Sequence, residues 1–529
     1  MRYLLHDVFL ETQKCSPDAT AIVMEDGRAV TYKALNTLAN RFANCIKNLK
    51  PSVLQRPFVG IISSVHIESV AAVLGILKIG CAYIPLDEYS PRDRLDKIIN
   101  NTKLDVVCID SHLVEKYTAL FENPWLKHII ILNSEAPVTA DDKVKGFEVI
   151  QATDATEPHL LNQVSDDLAY ILHSSGSTGI PKGIMLTHRN ARTFVDWMQK
   201  EFKLTHHDVV MSRAPLKFDL SVFDIFNTLK AGAKLVCFDW NKSRPLSQKH
   251  GDYVSLMEKE KATLLYTTPS TFISLLNRGG LGEKALSLRT IMYAGEPFPP
   301  AQLKKVMQAL PNTKVANIYG PTETNIITYY WVNTLPDMTT PIPLGAAVDD
   351  TEIIVVCDEQ HRLCEPDELG ELWCRGGTVT LGYLGMQDKT KACLIQSPFH
   401  PYPAFFWRTG DFGFFDKQGV LHYRGRRDHM VKVKGYRIEL GEIENALSAH
   451  PDLDEFAVVA VPDSQYTNRL YCHFSVLKGR HVEVDAIKHF LSHHLPEYML
   501  PYQFIKWEAL PTTSSGKIDR LQLTKSLEK

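Results

Sequence analysis

The chain has 529 residues, 44% of them hydrophobic and 22% charged, with a formal net charge of -3. This length exceeds what one hydrophobic core holds, so two or more domains are expected, and the composition is that of a folded globular protein. Near-neutral charge removes the electrostatic case for nucleic acid or an anionic membrane as partner.

The N-terminal "MRYLLHDVFLETQKC" carries His6, Asp7 and Glu11 inside its apolar run, which predicts an amphipathic helix and not a signal peptide. Behind Thr31, an N-cap residue type, Ala34, Leu35, Leu38, Ala39, Phe42, Ala43 and Ile46 recur at helical spacing. The most apolar stretch, 70–86, is interrupted by Lys78 and is too short to span a bilayer, so a cytoplasmic protein is expected. Ten cysteines without a C-x-x-C predict reduced thiols, with neither a disulfide framework nor a zinc site.

Short apolar runs at 106–109, 128–132, 168–172, 234–238, 263–267 and 290–294 alternate with helix-like segments such as 190–200 and 299–309. This alternation predicts an α/β fold of layered, largely parallel sheets. From 345 to 425 glycine punctuation and strand-like texture predict a β-rich subdomain. The tail reads helix (439–450), strand (455–463), strand (470–477) and helix (485–495), a small α+β domain. The expected division is therefore an N-terminal core of 1–427 and a C-terminal domain of 428–529.

"SSGSTGIPKG", residues 174–183, packs three glycines, four hydroxyls and a lysine into ten residues after a predicted strand. Glycines let backbone N–H groups converge on an anion, Ser174, Ser175, Ser177 and Thr178 add donors, and Lys182 adds charge. A nucleotide P-loop requires G-x-x-x-x-G-K-[ST]. Counting from Gly176, the sixth place holds Pro181, and Lys182 is followed by Gly183, so that reading fails. The residues alone leave a phosphate cradle or a flexible linker.

"LAYILHSSGSTGIPKG" resembles the signature loop of the adenylate-forming superfamily, which includes acyl-CoA synthetases, luciferases and nonribosomal peptide adenylation domains. The family's motif series follows in order: "VTYKAL", "LKIGCAYIPLD", "FDLSVFDIF", "NIYGPTETN", "GELWCRGGTVTLGYL", "WRTGDF", "GRRDHMVKVKGYRIELGEIE", "LPEYMLP" and "SGKIDR", spanning residues 30 to 520. Trp407 and Phe412 replace the commoner Tyr and Leu around "RTGD", and His173 and Ser174 stand where Tyr and Thr are frequent; size or hydroxyl character is kept.

The resemblance implies ATP and Mg2+ as cofactors and a reaction in two halves, acyl-adenylate formation and then thioester formation. It assigns pyrophosphate to the loop of Ser174, Ser175, Gly176, Ser177, Thr178, Gly179 and Lys182. Further nucleotide contacts fall on Gly295, Glu296, Pro297, Asn317, Tyr319 (adenine), Gly320, Thr322, Asp411 (ribose hydroxyls) and Arg426. Thr178 and Glu323 are the implied ligands of Mg2+, Lys517 the mobile catalytic lysine, Asp428 the hinge, and Gly435 part of the thiol tunnel. Bland alternatives are a solvated tail lysine for Lys517, turn punctuation for Asp411 and a core aromatic for Tyr319.

In amino-acid-activating members the Asp of F-D-x-S binds the substrate's α-ammonium, and here it is Asp219. Its other role would be an N-cap for the helix "SVFDIF". Carried over position by position, the pocket walls are Leu220, Phe223, Thr271, Met292, Ala294, Ile318, Ile326 and Ile327, with Lys517 facing the carboxylate. Apart from Thr271 these walls are apolar, which predicts a small to medium aliphatic amino acid. "FDLSVFDI" with "YGPTETN" looks like free-standing prolyl adenylation proteins, which share the Asp–Leu opening and Ala294. Thr271, Met292 and the Ile326–Ile327 pair depart from that pattern. L-Proline is thus the first expectation. The chain ends nine residues after "SGKIDR", so a separate phosphopantetheinylated carrier protein, or coenzyme A, is the expected acceptor. The adjacent pairs His206–His207 and His493–His494 are expected at the surface.

Overall fold

The computed structural model describes residues 3–49, 57–133, 142–158, 162–174, 181–337, 340–357, 362–426, 430–463, 467–477, 479–511 and 518–527. The predicted N-terminal helix is Asp7–Cys15. The periodic stretch after Thr31 forms helix Tyr32–Leu49, with the Thr31 hydroxyl accepting the Ala34 N–H. Helix Ile67–Lys78 is buried all round, as its uniformly apolar sequence requires. It approaches Tyr32–Leu49 closely because Gly75 has no side chain: a Cβ there would lie 2.6 Å from the Ala39 carbonyl oxygen. Lys78, which interrupts the apolar stretch, ends inside the protein. Its ammonium donates to Asn36, Asn40 and Glu157.

Among the described residues the strands of the N-terminal body form two mostly parallel sheets and one antiparallel sheet. The first runs in the order Val144–Lys145, His128–Ile131, Val106–Ile109, Phe58–Ile62, Ala82–Leu86, Leu168–Ser174 and Lys182–Thr187, and its last pair is antiparallel. The second has Lys314–Tyr319, Thr290–Tyr293, Leu264–Thr267, Val209–Met211, Lys234–Cys237 and Thr20–Met24 as parallel neighbours. Each short apolar run expected as a strand thus is one. One core joins both sheets through the helices between them, with Phe42, Val70, Tyr170, Phe223 and Met292 among its members. The glycine-punctuated stretch supplies the antiparallel sheet of Thr351–Cys357, Gly370–Gly376, Phe405–Phe415 and Leu421–Arg426.

Past residue 429 comes a hairpin, Met430–Val433 with Tyr436–Glu439, then helix Leu440–Ser448 and the sheet of Leu453–Asp463, Thr467–Val476 and Gln503–Lys506. Helix Val484–Ser492 completes this small α+β unit, which has its own core around Ile443, Val458, Phe474 and Ile487.

The ten cysteines are free thiols. Cys357, Cys364 and Glu368 each bring a ligand atom within 4.8 Å of the others, but Arg362 already engages both oxygens of Glu368. Among the described residues no helix is long and apolar enough to cross a membrane. His206, His207 and His493 are exposed, and His494 faces Asp93.

Candidate active site

Ligand sites in open α/β sheets lie beyond the carboxyl ends of parallel strands, and the second sheet follows that rule. A cavity of about 420 Å³ opens there, closed on its far side by Lys434, Gly435 and Tyr436 of the C-terminal hairpin. A second cavity of about 450 Å³ adjoins it, bordered by Gly295, Glu296, Pro297, Asn317, Ile318 and Tyr319.

Asp219 lines the first cavity. It precedes a short helical turn, Leu220–Val222, that continues as a π-helical turn, Phe223–Asn227, and then as Thr228–Ala231. π-turns recur at functional sites because they re-aim side chains. The N-cap alternative does not hold: Asp219 has helical φ and ψ and makes no capping hydrogen bond. Burial instead pushes its carboxyl up to about 6, against the pull of the Leu220 N–H, Thr322 and Lys432. A cationic partner would relieve that cost.

Leu220, Thr271, Ala294 and Ile326 line the same cavity. Phe223, Met292 and Ile327 do not reach its surface and are fully buried, and Ile318 borders the second cavity instead. Strand geometry explains the split. Met292 precedes Ala294 by two residues, so it points the same way one row deeper. Tyr266, absent from the expected walls, does line the cavity. It pairs with Met292 across the parallel strands and meets the Phe223 ring edge-on at 5.4 Å.

Asp411, only 2% exposed, stands where Tyr319 and Arg426 converge. Tyr319 donates its hydroxyl to Oδ2 at 2.7 Å, and Arg426 Nη1 lies 3.0 Å from Oδ1. The register Asp411↔Arg426 sets that pairing. Glu296 accepts from Ser270 and from Thr467 of the C-terminal unit, and Asn317 donates to the Pro343 carbonyl. Gly320 and Thr322 border the first cavity, and Gly320 packs so tightly that a Cβ would meet the Asn325 carbonyl at 2.2 Å.

Strands Leu168–Ser174 and Lys182–Thr187 pair antiparallel, with Ser174 opposite Lys182. Lys182 opens a strand here, where a P-loop lysine would open a helix. Ser175, Gly176, Ser177, Thr178 and Gly179 lie outside the described residues, as do Lys517 and Asp428. The Lys182 ammonium is 2.6 Å from Glu439. Fully buried Glu323 accepts from Tyr383 at 2.7 Å and pairs with Arg437 at 2.5 Å. Burial works against ionising Glu323, but Arg437 and Lys182 outweigh it and hold the carboxyl at about 2. Gly435 (φ +84) sits against the body, where a Cβ would lie 2.7 Å from Thr268 Cγ2.

Residues 9–384 match the AMP-binding enzyme family, and residues 442–517 match the AMP-binding enzyme C-terminal domain. The chain belongs to the AMP-binding enzyme family.

Among its relatives in that family, bacitracin synthase 1 of Bacillus licheniformis is 32% identical over 98% of this chain, which spans only 9% of that synthase. The L-proline--[L-prolyl-carrier protein] ligase of Pseudomonas fluorescens is also 32% identical, over 99% of both chains. In structure, the Vibrio cholerae adenylation domain AlmE, solved with glycyl-adenosine-5'-phosphate, superposes with a TM-score of 0.85 at 24% identity, over 100% of this chain and 98% of AlmE. That likeness shows the fold of this AMP-binding enzyme: layered α/β sheets and a small C-terminal domain.

The contacts between body and C-terminal unit were not legible in advance. Besides Lys182–Glu439 and Glu323–Arg437, Arg94 pairs with Glu442, both buried. Tyr436 stacks on Tyr498 and meets Phe218 of the body at 5.1 Å. A separate cluster borders the first cavity at Ser63. His66 is held between Asp110 (2.7 Å) and Glu68 (2.8 Å), with the Ser63 hydroxyl against Asp110 and His66. Burial opposes its charge, yet the two carboxylates raise its pKa to about 10. It is an imidazolium at neutral pH and cannot serve as a base.

Proposed function

We propose that this enzyme activates a small to medium apolar amino acid, with L-proline first, as its aminoacyl-adenylate, and then passes it to the phosphopantetheine thiol of a separate carrier protein. The observation that carries this reading is Asp219: a cavity-facing carboxylate, destabilised by burial, beside mainly apolar walls. Such a group suits a substrate with an ammonium, which a fatty or aryl acid lacks. The full-length likeness to a ligase named for L-proline supports the choice among amino acids.

In the first half the substrate carboxylate attacks the α-phosphate of ATP and pyrophosphate leaves. Two unit charges about 4 Å apart repel by about 4 kcal/mol at an effective dielectric of 20, so positive groups and N–H donors must gather there. Lys182 and the 174–179 segment would take the pyrophosphate, Lys517 would bridge carboxylate and phosphate, and Asp411 with Tyr319 and Arg426 would hold the nucleoside. Glu323, ionised and buried, has the donor chemistry for Mg2+, which it would hold with Thr178 so that the metal's charge offsets the phosphates. In the second half the thiol sulfur bonds to the acyl carbon, the acyl–phosphate bond breaks, AMP leaves and the thiol proton passes to solvent.

The division at Asp428 makes residues 428–529 a lid that turns between the halves. The orientation seen here suits the second half, because the hairpin around Gly435 faces the cavity while Arg437 and Glu439 engage the groups meant for metal and pyrophosphate. A D-alanyl or other aliphatic amino-acid carrier ligase is the alternative, and an acyl-CoA synthetase is less consistent with Asp219. ATP–pyrophosphate exchange across the twenty amino acids, D-alanine and short fatty acids decides among them. Strongest exchange is expected with L-proline, whereas exchange with octanoate and none with proline overturns the reading.

A further inference from the structure

The cavity containing Asp219 extends well past its amino-acid end. It follows the carboxyl ends of the second sheet's strands from Ala294, after Thr290–Tyr293, to Phe238 and Trp240, after Lys234–Cys237. Those strands are three places apart in the sheet order. At about 4.8 Å per strand, the two ends are roughly 14 Å apart. That space is far longer than a small amino acid needs.

Arg213 stands at the distant end, with its guanidinium 4.1 Å from the centre of the Trp240 ring. Lys249 fixes this segment by donating to the Trp240 carbonyl at 2.6 Å. Among the described residues the Arg213 side chain has no hydrogen bond and no ion pair, and its Nε is buried without a partner. Carboxylates nearby do not neutralise it. Asp224 accepts the backbone N–H groups of Arg213 and Ala214 and makes no hydrogen bond to the guanidinium, and burial raises its carboxyl to about 8 against the pull of those donors and of Arg213 itself. Asp87 is matched to Lys217 at 2.7 Å, and Glu88 accepts from Asn241. A partly buried guanidinium that lines the cavity without a counter-ion is open to a ligand that supplies one, and its planar fork fits a phosphate.

We propose that Arg213, stacked on Trp240, is the docking point for the phosphate of the acceptor's phosphopantetheine arm, whose thiol then reaches the acyl-adenylate beside Asp219. The proposal rests on the thiol-transfer half of the function proposed above. Tyr436 of the C-terminal hairpin faces the same cavity, so the hairpin closes over the arm between its two ends. The phosphate belongs to a carrier-bound arm or to coenzyme A, which share this group.

Calorimetric titration of the full chain with pantetheine, 4'-phosphopantetheine and coenzyme A tests the proposal without requiring turnover. The wild-type protein is expected to bind phosphopantetheine about tenfold more tightly than pantetheine. Arg213→Gln should bring the two to parity, and Arg213→Lys should restore part of the difference, since it keeps the charge and loses the fork. If Arg213→Gln does not fold, as judged by its melting curve, Arg213→Lys and Trp240→Leu carry the same comparison. A wild-type protein that binds both arms equally, or a preference unchanged in the variants, overturns the proposal. Coenzyme A binding as tightly as phosphopantetheine supports it with a nucleotide thiol as source, and weaker coenzyme A binding supports it with the carrier arm. Failure of the amino-acid panel with this preference intact would remove the proposed substrate and leave the phosphate site standing.

Discussion

Lys182 of the body and Glu439 of the C-terminal hairpin form an ion pair at 2.6 Å, both largely shielded from solvent. The lysine proposed to receive pyrophosphate is therefore committed to a carboxylate in this orientation. ATP must compete with Glu439, and its apparent affinity is lowered by the fraction of molecules held this way. Glu439→Gln should lower the KM for ATP in pyrophosphate exchange by about two- to fivefold, the scale of a single ion pair worth about 0.4–1 kcal/mol. A KM that rises or stays constant contradicts this competition.

Gly435 separates the two halves by geometry. Its φ of +84 and the 2.7 Å approach to Thr268 leave no room for a methyl group. Gly435→Ala should slow thioester formation at least about tenfold through strain in this orientation alone, while ATP–pyrophosphate exchange persists. Equal loss in both assays would mean that the hairpin is needed for adenylation too.

Asp219 should cost the empty protein stability. Its carboxyl is raised from 3.8 to about 6, so between those values the folded state holds the proton more tightly and stability falls as pH rises through the window. Above pH 6 the deficit is complete. Asp219→Asn should therefore raise Tm by about 1–3 °C at pH 7.5 and leave it unchanged near pH 4, measured without substrate. A lower Tm at pH 7.5 would show that the carboxylate is structurally satisfied.

His66 also loses stability as pH rises, but over a higher window and through loss of a stabilising charge. Its pKa is raised to about 10 in the fold, so its contribution is fully present below 6.5 and disappears as pH climbs through 10. Tm should fall between pH 7 and 10 in the wild-type protein and less steeply in His66→Gln, by calorimetry. Parallel curves would contradict the buried imidazolium.

Much of the fold was legible because buried parallel strands are short apolar runs, and "VVCI" or "TIMYA", β-branched-rich and too short for a helix of usual length, read as strands between helical stretches. The site was legible in part. Asp219, Ala294 and Asp411 were singled out through their motifs, and the structure places all three along one cavity at the strand ends. Tyr266 was missed because its place in the wall depends on register: only pairing with Met292 brings it beside the expected residues. Arg213 and Glu439 gave no local signal. Their significance comes from what is or is not opposite them across hundreds of residues, which periodicity does not encode.

The central claim is that Asp219 neutralises the substrate's ammonium. It is tested most directly by ATP–pyrophosphate exchange with L-proline and with cyclopentanecarboxylate, which has the same ring size and no nitrogen, in the wild-type protein and in Asp219→Ala. The account predicts a wild-type preference for proline of about two to three orders of magnitude, the scale of breaking a buried charge pair, and its collapse in the variant. Equal use of the two acids by the wild-type protein, or an undiminished preference for proline in Asp219→Ala, would contradict it.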